Sequence, residues 1–195
     1  METERQRARC RKRLERLSVS GVDCDSMRRE AIVELQRAIG FDRWCWPLAD
    51  PETLLPLSGL AEHDFGPGVP RSLELEYSGH DFAAKHVLGR RPNSAGSLDA
   101  ETGGDLARSP RWDEVLRPVG IGDVATVSCR DEFGCWGWIE AYRDGADRPL
   151  RSATSSFSPR SAQAWAPRCA AAPWTRAMGS SSSRALPECS CSTVT

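Results

Sequence analysis

The N-terminal segment of the chain has the spacing of a charged helix. Residues 3–17 contain Leu14 and Leu17 as their only large apolar side chains, among seven basic residues and two glutamates. Basic side chains interspersed with acidic ones are typical of a solvated helix or of a helix that faces a partner. We favour these interpretations over a nucleic-acid contact.

A second, more regular helix is predicted from about Ser26 to Ile39. Its apolar side chains recur every three or four positions, which predicts one buried face made of Met27, Ala31, Ile32, Leu35, Ala38 and Ile39. Asp25 or Ser26 is expected to cap the N-terminus of this helix. Gly40 can take the left-handed conformation that ends a helix.

Alternation of side chains at period two predicts two pairs of antiparallel strands. The first pair lies in "FDRWCWPLADPETLLPLSGL", where Trp44 and Trp46 share a face, Cys45 takes the other face, and Asp50-Pro51 makes the turn. The second pair is the hairpin "IGDVATVSCRDEFGCWGWIEAYRDG", with its turn at residues 131–134.

The second strand of this hairpin is predicted to have two unlike faces. A small face suited to packing on a helix would consist of Cys135, Gly137, Ile139 and Ala141. A face suited to a cavity wall or a second layer would consist of Trp136, Trp138, Glu140 and Tyr142. The candidates for a ligand-pocket lining are therefore Trp44, Trp46, Trp136, Trp138 and Tyr142. Plain core packing explains the four tryptophans at least as well.

The residues between the two strand pairs are less regular. Short helices are predicted at 70–77 and 112–116, with a Gly/Pro loop at 61–70 and a polar loop at 89–110. The segment "HDFAAKHVL" fits either a helix or a kinked strand, because periodicity cannot distinguish the two over so short a run. Helices before and after an antiparallel sheet predict an α+β domain.

Composition agrees with a soluble globular chain, with 27% charged residues, 39% hydrophobic residues and a formal net charge of −1 over 195 residues. No apolar run approaches the roughly 20 residues that cross a bilayer. The N-terminus lacks the apolar core of a signal peptide, so we expect a cytoplasmic protein without membrane contact. In that setting the eight cysteines are expected to be buried thiols.

Little in the chain resembles catalytic or metal-binding chemistry. The sequence contains no C-x-x-C, no G-x-S-x-G and no G-x-x-x-x-G-K-[ST], so neither a metal nor a cofactor is predicted. His63, His80 and His86 are interpreted as surface or loop residues. Cys45 and Cys135 stand beside tryptophans, and we interpret them as buried strand thiols rather than redox sensors, since reactivity requires exposure and a basic neighbour.

Three segments of the chain carry a resemblance to a known family. "RREAIVELQRAIGFDRWCWPLADPETLLPLSGL", "LELEYSGHDFAAKHVL" and "PVGIGDVATVSCRDEFGCWGWIEAYRDGADRPL" resemble the N-terminal GAF-like sensor domain of LuxR-type helix-turn-helix transcriptional regulators from actinobacteria. The resemblance covers residues 10–150. It implies a GAF-like fold with a central antiparallel sheet flanked by helices, here divided into a charged helix at 1–20 and a sensor domain at 21–150.

The resemblance also implies a function. GAF domains bind small molecules or act as dimerisation modules, and in this family a DNA-binding helix-turn-helix follows. The chain is therefore expected to be a non-enzymatic sensor or dimerisation region of a transcription regulator, with a small-molecule ligand or a second copy as its partner. It would reach DNA only through a helix-turn-helix that this chain lacks.

Residues 151–195 differ in composition from the rest of the chain. They contain 11 Ser and 9 Ala, and Leu186 and Val194 are their only residues among Leu, Ile and Val. So few aliphatic groups cannot offset the entropy of ordering, which predicts a disordered, low-complexity tail. In the resembled family an amphipathic helix with an acidic start follows at the position after Leu150.

A shift of reading frame explains both the tail and the missing helix. A codon whose middle base is T encodes an apolar residue. Consider the reading frame that starts at the third base of each codon of this chain. The middle base of each new codon is then the first base of the chain's next codon. The codons of Phe157, Trp165 and Cys169 begin with T, and those of Ser155, Ser158 and Ser161 do so if they are TCN codons. Positions 155, 158, 161, 165 and 169 then have the spacing of one helical face. The nucleotide sequence after Leu150 tests this hypothesis.

Two alternatives to a sensor region stay open at this point. In the first alternative, the chain is the non-functional product of a pseudogene, and its domain is only marginally stable because the closing helix is missing. Alternatively it is a small cytoplasmic enzyme that uses His80 or Cys135. The enzyme requires a converging set of polar side chains near a pocket, which the sequence does not offer.

Overall fold

The computed structural model describes residues 2–62, 66–92, 94–145 and 150. Within these residues five antiparallel strands form one sheet in the order β2-β1-β5-β4-β3. The strands are β1 Arg43–Ala49, β2 Pro56–Ala61, β3 Ala95–Ser97, β4 Ile121–Arg130 and β5 Cys135–Asp144. Both predicted strand pairs are present, and the long hairpin β4–β5 lies at the centre.

Helical elements cover both faces of the sheet. The α-helices are α1 Glu2–Ser18, α2 Cys24–Ile39, α3 Gly68–Tyr77, α4 Lys85–Leu88 and α5 Leu98–Thr102. Two 3-10 turns, Leu106–Arg108 and Arg117–Val119, flank a π-helical turn at Trp112–Leu116. The prediction of an α+β fold with a central antiparallel sheet flanked by helices is confirmed, and this is the architecture that the resemblance to GAF domains implies.

The two N-terminal helices cover one face of the sheet, called here the helix side. Met27, Ala31 and Leu35 of α2 are buried in one cluster with Trp46 of β1 and Ile139 of β5. Helix α1 packs on α2 through Cys10 and Leu14, which are also buried in this cluster. Periodic apolar residues thus produce the buried face that their spacing predicted.

The ends of α2 agree with the prediction at one terminus and differ at the other. Gly40 has φ 76° and ψ 43°, the left-handed conformation expected at the C-cap. The N-cap is Asp23, whose carboxylate accepts a hydrogen bond from the Ser26 N–H at 3.0 Å. The prediction of Asp25 or Ser26 as N-cap was wrong, because the helix begins at Cys24 and both residues lie inside its first turn.

Residues 89–110, which were predicted to be a polar loop, contain regular structure. Strand β3 pairs with β4 at the edge of the sheet, and α5 follows it directly. The Ser97 hydroxyl accepts the Ala100 N–H at 3.3 Å and caps α5. The loop prediction failed because these elements are short and rich in Gly, Ser and Asp, and they are stabilised by burial against β4 rather than by their own periodicity.

A β-bulge in β5 exchanges the faces of two residues. Cys129 pairs with Gly137 and Arg130 pairs with Cys135, so Trp136 has no counterpart on β4. Beyond the bulge Ile139 and Ala141 face the helix side, as predicted. Before it Cys135 packs with Trp138 on the opposite face, and Trp136 packs on the helix side. The predicted faces of Cys135 and Trp136 were therefore wrong.

Gly137 makes this bulge sterically feasible. Its φ is 155°, and a Cβ built at this position would lie 2.4 Å from the Pro47 carbonyl oxygen on β1. Since real Cβ atoms do not approach an oxygen so closely, β1 and β5 can pair here only across a glycine.

Leu150 returns to the sheet after the last strand. Its side chain is 2% exposed and belongs to the helix-side core. Its N–H donates a hydrogen bond to the Asp123 carboxylate at 2.7 Å. The predicted disordered tail and the reading-frame hypothesis concern residues 151–195, which lie outside the described residues.

Candidate functional site

The sheet face opposite α1 and α2 contains a cavity of about 270 Å³. Helix α3 and strand β2 form its sides, and residues of β1, β5, α4 and the π-helical turn close it. Its apolar lining consists mainly of Pro47, Pro56, Leu57, Val69, Leu73, Val115 and Leu116. Its polar side chains are Cys45, Ser58, Ser72, Lys85, Glu140 and Tyr142. An apolar cavity with a few converging polar groups is typical of a small-molecule site.

The mouth of the cavity exposes two large apolar side chains. Leu57 on β2 is 56% exposed and Val69 on α3 is 41% exposed, and both also line the cavity. Because both side chains are exposed and also line the cavity, they mark a place where the cavity meets solvent.

Glu140 forms the polar end of the cavity. This side chain is 3% exposed and lies on β5 between Trp138 and Tyr142. One carboxylate oxygen accepts the Tyr142 hydroxyl at 3.0 Å, and the other lies 3.1 Å from the Lys85 ammonium. The geometry therefore presents a carboxylate, an ammonium and a phenol at one end of a cavity whose other walls are mainly apolar.

Behind Glu140 the charges continue into the core. The Lys85 ammonium also contacts Glu76 at 2.5 Å, and the backbone N–H of Lys85 donates to the same carboxylate. Arg111 donates from Nε to Asp81 at 2.7 Å and lies 3.6 Å from Glu140. These five side chains, Glu76, Asp81, Lys85, Arg111 and Glu140, are called here the buried charge cluster.

The buried charge cluster carries one more negative than positive group. Three carboxylates face one ammonium and one guanidinium. The carboxylates act as acceptors, because Glu140 receives the Tyr142 hydroxyl, Glu76 receives the Lys85 N–H, and Asp81 receives the Ser109 hydroxyl at 2.5 Å. With all three carboxylates ionised the formal charge of the cluster is −1.

The pKa directions of Glu76, Lys85 and Tyr142 agree with a charged Glu76, a charged Lys85 and a neutral Tyr142. Burial raises the pKa of Glu76, but Lys85 and Arg111 outweigh burial and hold that pKa below its usual value. Burial and the Glu140 carboxylate raise the pKa of Tyr142 well above its usual value. The phenol therefore stays neutral and donates a hydrogen bond to Glu140. Burial lowers the pKa of Lys85, but Glu140 and Glu76 more than reverse this effect, so the ammonium remains charged.

The predicted pocket residues are distributed over both faces of the sheet. Trp44 and Trp46 are buried on the helix side, and Trp136 packs against the same cluster. Trp138 is fully buried on the cavity face, where its indole N–H donates to the Lys85 carbonyl at 2.9 Å. Of the five candidates Tyr142 lines the cavity. Any ligand contact of these residues stays a prediction.

Two thiols of the sheet are poor nucleophiles: Cys45, which lines the cavity and is half-buried rather than buried as predicted, and Cys135, which is buried as predicted. Burial, and then the Glu140 carboxylate, raise the pKa of Cys45 to about 12. Burial also raises the pKa of Cys135, whose thiol donates to the Gly137 carbonyl at 3.4 Å. A thiolate is the reactive form of cysteine, so these environments suppress reactivity at neutral pH.

Sequence reasoning missed most of the buried charge cluster. The signal for Glu140 was present, because it is a charged residue between aromatic neighbours on the predicted cavity face of a central strand. Lys85 is one of two lysines in the chain and lies in the mostly apolar segment "HDFAAKHVL". Glu76, Asp81 and Arg111 could not be found this way. Only the fold brings helix α3, the turn that follows it and the residue before Trp112–Leu116 together beside β5.

Within the described residues, no group of three or more His, Cys, Asp or Glu side chains is arranged to hold a metal ion. Among the same residues no helix is both long and apolar enough to cross a membrane.

The chain is similar to known proteins at the level of solved structures. No protein-family model matches the chain, and no curated protein sequence matches it. The chain is similar to GAF3 from Slr1393 of Synechocystis sp. PCC6803 in its photoproduct state, at 19% identity and a TM-score of 0.45, over 80% of this chain and 98% of that one. It is also similar to the chromophore-binding domain of the bacteriophytochrome RpBphP3 from R. palustris, at 17% identity and a TM-score of 0.47, over 86% of this chain and 62% of that one. Neither likeness says what this chain binds.

Proposed function

We propose that this chain is a non-enzymatic sensory region that binds a small molecule in the cavity between α3, β2 and the central strands. The observation that carries the proposal is the cavity itself, with apolar walls, an open mouth at Leu57 and Val69, and a polar end at Glu140. Burial of an apolar ligand against these walls provides affinity, and the polar end provides orientation.

A sensory role is favoured over the enzyme alternative by the chemistry around the cavity. The half-buried thiol of Cys45 and the buried thiol of Cys135 have raised pKa values, which removes the nucleophile that a cysteine enzyme needs at neutral pH. His80 is exposed, and its backbone N–H donates a hydrogen bond to the Ser78 hydroxyl at 3.4 Å. His80 and Cys135, the two residues on which the enzyme alternative depends, are not among the residues that line the cavity.

The wider role in this proposal is regulation of transcription in the cytoplasm. The resemblance in sequence to sensor domains of LuxR-type regulators supports it, and so does a domain with a ligand-sized cavity. In such a regulator, ligand occupancy shifts the populations of two arrangements of the connecting helices. A second copy of the chain is the proposed protein partner, and DNA would be contacted through a helix-turn-helix outside this chain.

Filling the cavity from α3 tests the proposal. Ser72 lines the cavity and is partly buried, so Ser72→Trp places an indole in the space a ligand would use. We would screen the full chain by saturation-transfer NMR with a panel of fragments, each an aromatic ring with a short neutral, cationic or anionic tail. We expect at least one fragment to bind the wild type and to lose its signal with Ser72→Trp.

The matched control is Glu74→Trp, which adds the same side chain to the same helix. The Glu74 side chain is 70% exposed, so its replacement leaves the cavity open and binding should persist. Fragments that bind all three proteins equally would place the binding site elsewhere and refute the cavity. A folded wild type that binds none of the fragments would also count against the proposed function.

A further inference from the structure

The buried charge cluster contains three carboxylates and two cations, and it could accommodate one further positive charge at the end that faces the cavity. Removing ions from water is costly, and the cost is recovered when opposite charges meet in good geometry. Here two cations serve three carboxylates, and the contacts are uneven. Lys85 lies within 3.1 Å of both Glu76 and Glu140. Arg111 lies 3.8 Å from Glu76 and 3.6 Å from Glu140, too far for a hydrogen bond.

Glu140 is the carboxylate of the cluster that lines the cavity. Asp81 is paired with Arg111 and Ser109, and Glu76 is paired with Lys85. Glu140 accepts the neutral Tyr142 hydroxyl on one oxygen and shares Lys85 on the other. Since a carboxylate offers about four lone-pair sites, it can accept a further donor from the cavity.

An anionic ligand is disfavoured at the same position. Lys85 also lines the cavity, but its ammonium is shared between two carboxylates that an anion would have to displace. The anion would approach Glu140 as well, and like charges at close range in a buried site repel strongly. The charge complementary to this end of the cavity is therefore positive.

Resting on the proposed ligand-binding function, we infer that the cavity selects small, mainly apolar molecules with one cationic amine, and that the Glu140 carboxylate is the partner of that amine. The walls fix the rest of the ligand class. Apart from its polar end the cavity is lined mainly by aliphatic side chains and proline, so a single ring or a short branched chain suits it better than a sugar or a phosphate.

Three probes of one shape test this inference. We would compare 2-phenylethylammonium, 2-phenylethanol and phenylacetate on the full-length chain at pH 7, using isothermal titration calorimetry. The ammonium should bind at least about tenfold more tightly than the alcohol, since a charge-assisted hydrogen bond is roughly twice as strong as a neutral one. Phenylacetate should bind most weakly. Added salt should reduce the preference for the amine only slightly, because the pair is buried.

Glu140→Gln is the variant that assigns the partner. It keeps the shape and one acceptor oxygen, so the alcohol should bind as before while the tenfold preference for the ammonium disappears. If this variant fails to fold, Tyr142→Phe replaces it. That change frees one Glu140 oxygen and leaves the charge, so the preference for the ammonium should stay or increase.

The outcomes separate this inference from the proposed function. Equal binding of the three probes, or tighter binding of phenylacetate, overturns the selection for an amine while leaving a ligand cavity in place. An amine preference that persists unchanged in folded Glu140→Gln overturns the assignment of Glu140. Binding of any probe that Ser72→Trp leaves unchanged overturns the cavity as the site, and the proposed function with it.

Discussion

Replacement of Lys85 by methionine is the most direct perturbation of the buried charge cluster. The side chain keeps its unbranched stem, ends one atom shorter and loses its ammonium, which contacts Glu76 at 2.5 Å and Glu140 at 3.1 Å. After the change one guanidinium faces three carboxylates, and its distances of 3.8 and 3.6 Å to Glu76 and Glu140 cannot replace the lost contacts. Breaking a buried pair by removing one partner costs about 3–5 kcal/mol.

This cost is a large fraction of the stability of an ordinary domain, which is about 5–15 kcal/mol. Urea unfolding followed by tryptophan fluorescence at pH 7 measures it as a lower midpoint with an unchanged slope. Lys12→Met is the matched control, because Lys12 is the other lysine of the chain and is exposed on α1. The control should change the free energy of unfolding by less than about 0.5 kcal/mol.

The loss should also depend on pH. In the wild type the pKa of Glu76 is lowered from 4.5, so this group stabilises the fold above that pH and the contribution fades as the pH falls. In Lys85→Met the main opposing cation is absent, and burial raises the pKa of Glu76 above its unfolded value. The variant is then destabilised as the pH rises, so the difference from wild type should grow between pH 5 and pH 7. A loss below about 1 kcal/mol, or one independent of pH, would refute the reasoning.

Two further changes test local features of the fold. Gly137→Ala should reduce the free energy of unfolding by about 1–3 kcal/mol or more, because the new Cβ meets the Pro47 oxygen at 2.4 Å. Gly21 also has a positive φ, 77°, but a Cβ built there meets no atom within 4 Å, so Gly21→Ala measures the backbone contribution alone. An equal loss of stability in both variants would contradict the steric argument. Asp23→Ala should lower the unfolding temperature at pH 7, since the Ser26 contacts hold the pKa of Asp23 below 3.8. This difference should shrink as the pH falls below that value, and calorimetry showing a constant difference contradicts the N-cap.

Much of the fold could be predicted from local patterns. The helix α2, the strand β1 and the hairpin β4–β5 repeat apolar residues at the period of their own backbone, so a short window of sequence identifies them. The turn at Asp50-Pro51 then predicts β2 as the partner of β1. Gly40 ends α2 as expected, because the left-handed conformation at that point is a property of glycine itself.

The candidate site could be predicted only in part. The prediction that Tyr142 lies on an aromatic face of β5 identified a residue that lines the cavity. It did so because side chains alternate between the two faces of the sheet from Trp138 onward. Trp136 was assigned to that face wrongly, since the bulge depends on the close approach of β1 at Gly137. A contact between two strands distant in sequence leaves no period to detect.

The buried charge cluster shows the same limit more strongly. Glu76, Asp81, Arg111 and Glu140 come from four separate segments, and each alone is an ordinary charged residue on a helix, turn or strand. Their pairing, the cavity end at Glu140 and the small elements between residues 89 and 110 arise when the chain packs on the central hairpin. Local periodicity determines which segments become helices and strands, whereas burial of charge is settled by which partners the fold brings within hydrogen-bonding distance.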